Sequence, residues 1–107
     1  MNKMTRAEKQ EVRLNNYTTE WCSLEKQKRD YYRQKYLEGD LSTTTIQTLY
    51  MMQDRIDYLV FQIVKKVDWF RRNDEDFDNE IACQVYDQYA EGLHRGLTSL
   101  IHHFEDR

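Results

Sequence analysis

At 107 residues the chain has the length of one domain, and its 16 basic and 19 acidic side chains leave a net charge of −3. Proline is absent and glycine occurs three times, which excludes a Gly-rich phosphate loop, a proline linker and a series of β-turns. A charged fraction of 33% beside 39% hydrophobic and 13% aromatic residues excludes disorder, since disordered chains are poor in aromatics, and points to solvated helices.

The first element announces itself at Thr5-Arg6-Ala7-Glu8, a capping box. The threonine oxygen can accept from a free backbone N–H, and the glutamate three residues on can return to the cap. The spacing predicts a helix over residues 6–37 that stops at Glu38-Gly39-Asp40, with Gly39 supplying the left-handed residue just past the end. Ser42 or a neighbouring threonine then caps a second helix over 43–72, broken at Asn73-Asp74. Asp74 caps a third helix over 75–104, with Glu75, Asp76 and Asp78 in its first turn, where negative charge suits the positive end of the helix dipole.

The apolar stripes have heptad spacing. They read Leu14, Tyr17, Trp21, Leu24, Lys28, Tyr31, Lys35 in the first helix and Ile46, Leu49, Gln53, Ile56, Val60, Ile63, Val67, Phe70 in the second. The third helix offers Ala82, Tyr86, Tyr89, Leu93, Leu97, Leu100, Ile101 and Phe104. Short connections make neighbouring helices antiparallel. The fold class expected is therefore all-α: a single helical domain over residues 1–107, built as an elongated antiparallel three-helix bundle with coiled-coil-like packing, and open to dimerisation. The runner-up is a helical hairpin whose third helix is exchanged with a second chain. Lys28 and Gln53 fall at one height, with Arg95 and Gly96 near the same level of the third helix, so a polar layer is one reading. The favoured alternative lays Lys28 along the edge with its amine in water.

The stretch YLVFQIVKKVDWF, residues 58–70, carries large apolar side chains on two faces. At 100° per residue, Val60, Ile63 and Val67 point one way, flanked by Leu59 and Val64. Met51, Asp54, Tyr58, Phe61, Lys65, Trp69 and Arg72 form a second stripe on the other side. A helix beside the first covers an adjacent face, so the second stripe is expected to stay exposed. Exposed contiguous apolar surface marks interaction sites, and aromatics, Met and Arg are enriched there.

Other motifs carry less. Glu91-Gly-Leu-His94 has the E-x-x-H spacing of di-iron bundles but occurs once, without the core glutamates such a site needs. His102 and His103 suit a helix C-terminus. Gly92 and Gly96 stand four apart in a helix too polar to cross a membrane; the close approach of a bulky neighbour is the expected reason for them, with a mild kink as the alternative. In the first helix Lys26, Lys28, Arg29, Arg33 and Lys35 alternate with Tyr31, Tyr32 and Tyr36, a composition able to hold nucleic acid, although Glu25, Asp30 and Glu38 interrupt it and favour a salt-bridged solvated face. The acidic run Asp74, Glu75, Asp76, Asp78, Glu80, Asp87 and Glu91 offers the reverse, mimicry of a phosphate backbone.

No nucleophile–base arrangement stands out, and loops, where catalytic groups concentrate, are scarce. The expectation is a non-enzymatic protein–protein interaction module without cofactor or metal, an adaptor or inhibitor acting through the second stripe. By class it fits the accessory proteins of phages or mobile elements, although no residue carries that. Its partner is another protein or a second copy of itself. The alternative is a nucleic-acid-related protein, through the basic first helix or the acidic third. With no apolar run for a signal peptide or a membrane span, and two cysteines in no C-x-x-C pair, a cytoplasmic protein is expected.

Overall fold

The computed structural model describes residues 5–73 and 77–105, the side chains of 93–105 excepted. Among the described residues there are three helices and no strand: α1 Arg6–Glu38, α2 Thr43–Asn73 and α3 Glu80–Glu105. The chain is an all-α helical bundle. Its contacts group into two units, Met1–Leu59 and Val60–Arg107.

In the first unit, α1 starts where Thr5 Oγ1 accepts from the backbone N–H of Glu8 at 3.1 Å. It ends where Gly39 takes φ 69°. Gly39 N–H donates to the Tyr36 carbonyl at 3.1 Å, and Asp40 N–H to the Lys35 carbonyl at 2.9 Å. Those two bonds are a Schellman motif. The apolar contact that usually closes it is replaced by an ion pair, Lys35 Nζ to Asp40 at 3.4 Å. Ser42 Oγ accepts from the Thr45 N–H at 3.3 Å and starts α2.

Two pairs fix α1 and the start of α2 as an antiparallel hairpin. Arg55 donates to both oxygens of Glu20, at 2.6 and 2.8 Å. Lys28 Nζ donates to Gln53 Oε1, and Gln53 in turn donates to Asp57 at 2.7 Å. The amine of Lys28 is thus half-buried and bonded rather than extended into water along the edge. Gln53 at the same height gives it an acceptor, which offsets the cost of burial. The expected stripe of α1 does turn inward, with Leu14 buried and Tyr17, Trp21, Leu24, Tyr31 and Lys35 half-buried. Ile46 departs from its stripe and is 42% exposed, while Thr45 beside it is buried. The hydroxyls of Thr45 and Ser42 lie 3.1 Å apart, so capping turns Thr45 inward.

In the second unit, Val60, Ile63, Val64, Val67 and Phe70 of α2 and Ala82, Val85 and Ala90 of α3 are buried. The start of α3 differs from the expected residue 75. Asn79 caps it instead, its Oδ1 accepting from the Ala82 N–H at 3.0 Å. Residues 77–79 are not helical, and Phe77 stacks on Phe70 with centroids 4.6 Å apart. Asp74, Glu75 and Asp76 lie outside the described residues, so Glu80 is the acidic residue seen in the first turn. Val85 is fully buried where the stripe called for Tyr89, which is 38% exposed. The remaining expected core of α3, from Leu93 onward, lies outside the described side chains, as do His94, Arg95, Gly96, His102 and His103. Among the described residues the expected close neighbour of Gly92 is not found, since a Cβ there would meet no atom within 4 Å.

Candidate interaction face of the middle helix

The side of α2 opposite its buried line is built by the helical repeat alone. Ile56, Leu59, Val60, Ile63 and Val67 are withdrawn from water, which fixes the azimuth of every other residue on the helix. In the first unit this brings Met51 out to 72% exposure and Tyr58 to 44%, with Asp54 exposed between them. In the second, Phe61 is 43% exposed, Lys65 and Arg72 are exposed, and Trp69 is half-buried. Trp69 is the inner edge of the set, its ring meeting Phe70 edge-on at 5.0 Å.

The exposed rings do not lie bare. The guanidinium of Arg55 sits 4.8 Å from the centroid of Tyr58, and the Lys65 amine 5.3 Å from that of Phe61. Arg55 is itself held from its other side by Glu20, whose carboxyl is kept below its ordinary pKa chiefly by that hydrogen bond. Two residues that the sequence reading passed over, Glu20 and Arg55, therefore frame the face. The signal was available for one step only, because Arg55 and Tyr58 are three apart on one helix, while the clamp from Glu20 is a tertiary contact. Tyr50, 68% exposed, also borders the stripe.

The acidic set is only partly assembled. Glu80, Asp87 and Glu91 share one exposed side of α3, and Asp78 precedes the helix. Asp87 comes within 3.9 Å of Arg71, whose guanidinium also lies 4.3 Å from the ring centroid of Tyr86. A hydrogen bond to Asp68, helped by burial, raises the pKa of Tyr86.

The basic–aromatic run of α1 divides in two. Lys28, Lys35 and Tyr31 turn inward, and Lys35 lies 5.6 Å over the Tyr31 ring. Arg29, Tyr32, Arg33 and Tyr36 stay outside with Asp30 around a shallow depression, the two tyrosines stacked at 6.2 Å. Among the described residues no group of three or more His, Cys, Asp or Glu is placed to hold a metal ion. No described helix is long and apolar enough to cross a membrane. Compared with known protein families, curated proteins and solved structures, the chain matches none.

Proposed function

We propose that the chain is a non-enzymatic helical interaction module, an adaptor or inhibitor that works by presenting the exposed side of α2 to another protein chain. The observation that carries this is the exposure of Met51, Tyr58 and Phe61 on the side of α2 opposite its buried line. Large apolar side chains in that position shed water on association, which favours a bound partner. The two free thiols, Cys22 and Cys83, suit a reducing compartment, and with it a cytoplasmic setting.

The test replaces two exposed residues, Met51→Lys with Phe61→Asp, neither of which belongs to the buried line. Circular dichroism should show unchanged helix content. Association, read by light scattering for self-assembly and by co-purification for a different partner, should be lost. Association at wild-type strength in the folded variant overturns the reading.

A second reading has its own observation, the stacked pair Tyr32 and Tyr36 in a depression that Arg29 and Arg33 also line. Aromatic faces beside guanidinium groups suit the bases and phosphates of single-stranded nucleic acid. Binding of that kind weakens steeply with salt. Loss of such binding in Tyr32→Ala, with α2 variants unaffected, favours this reading over the first. Phosphate mimicry by Asp78, Glu80, Asp87 and Glu91 has less support, because Asp87 already faces Arg71.

A further inference from the structure

We infer that the occupant of this face is a second copy of the same chain, with the two α2 helices antiparallel and the two-fold axis passing between the levels of Leu59 and Val60. The inference rests on the interaction-face reading above and names the partner.

The argument is the order of charges along one helix. Tyr58 and Phe61 lie at equal distances in sequence on either side of that axis, and so do Asp54 and Lys65. Antiparallel pairing about it therefore sets Tyr58 of one copy against Phe61 of the other, and Asp54 against Lys65. Two-fold symmetry makes each contact twice. At the ends Tyr50 comes level with Trp69. All four central residues are exposed, with 44% and 43% of Tyr58 and Phe61 open to solvent.

Two other arrangements of the same face match its charges less well. A parallel, in-register pair opposes Asp54 to Asp54 and Lys65 to Lys65, and like charges at an interface select against a pairing. An antiparallel pair whose axis lies two residues further along puts Asp54 against Trp69 and leaves Lys65 against Tyr58. Of these three arrangements, the register centred between residues 59 and 60 is the one that joins opposite charges and ring to ring in neighbouring layers. The local contacts favour it as well. Lys65 already lies along Phe61, so its amine can reach the second copy's Asp54 without leaving the ring. Tyr58 is held beneath Arg55, and a side chain ordered beforehand loses less entropy on association.

The experiment uses the two single charge reversals, Asp54→Lys and Lys65→Asp, in the full chain. The wild type should show twice the 13.2 kDa chain mass by light scattering at micromolar concentration. Each reversal alone sets like charges together in both layers and should weaken the dimer by about tenfold or more. An equimolar mixture of the two reversals should recover the dimer as a heterodimer. In that pairing position 54 of each chain again faces the opposite charge at position 65 of the other, in both layers.

A monomeric wild type overturns the inference and leaves the face for a different protein. A dimer indifferent to both reversals but lost with Phe61→Asp overturns the register while the interaction-face reading stands. A dimer that also survives Phe61→Asp overturns both.

Discussion

Gly39 and Gly92 make opposite predictions for the same added methyl. Gly39 holds φ 69°, a left-handed conformation that an L side chain adopts at a cost of roughly 1–2 kcal/mol. Gly39→Ala should therefore lower stability by about 1 kcal/mol, and Gly39→Asn by less, because asparagine tolerates that region. Gly92 has ordinary helical backbone and open space where a Cβ would stand. With no described neighbour requiring it, glycine there is a loss of helix propensity, and Gly92→Ala should stabilise the chain by up to about 1 kcal/mol. Urea unfolding of the two variants checks both signs. A destabilised Gly92→Ala would mean that some contact needs the bare backbone.

At the scale of elements, helix ends were legible where a few consecutive residues decide them. Thr5, Gly39 and Ser42 act through bonds to backbone within five positions, so the sequence contains the whole interaction. The start of α3 was not legible because Asp74 and Asn79 are equally good caps, and the stacking of Phe77 on Phe70, a contact between elements, goes with the later one. The same split governs the faces. Periodicity placed Met51, Tyr58 and Phe61 outside, but it could not rank Val85 above Tyr89 on α3, since both positions suit a stripe and only packing separates them. Nor could it show that Glu20 of α1 holds Arg55 of α2. That clamp carries a pH prediction. The carboxyl of Glu20 is held below its ordinary value of 4.5 in the folded chain, chiefly by Arg55. A depressed carboxyl contributes stability that is full above the unfolded value and is lost as pH falls through the folded one. Wild type should thus unfold at a higher temperature than Glu20→Gln at pH 7, with the gap closing as pH falls below 4.5. The gap is modest because both partners are exposed. A gap that is constant down to strong acid would show that the charge of Glu20 plays no part.

For the whole molecule, charge and apolar surface argue for different kinds of partner, and salt separates them. Residues 1–39 carry 9 basic and 6 acidic side chains, residues 74–107 carry 2 and 9, and the total is −3. If function ran through the basic segment to a nucleic acid, each phosphate contact would release counterions. Affinity would then fall by about a thousandfold or more between 50 and 200 mM salt for six contacts. Association through the face of α2 would behave otherwise, because Met51, Tyr58 and Phe61 are apolar and two of its charges, Asp54 and Lys65, are matched when the face meets itself. Screening weakens those matched pairs, while salt leaves the burial of the rings intact or strengthens it slightly. The dissociation constant of the dimer should therefore change by less than about fivefold between 50 and 500 mM sodium chloride, since exposed ion pairs contribute little beside buried apolar area. Sedimentation equilibrium at the two salt concentrations measures it directly. A dimer that falls apart in high salt would place the association on the basic and acidic segments and remove the aromatic face from the account.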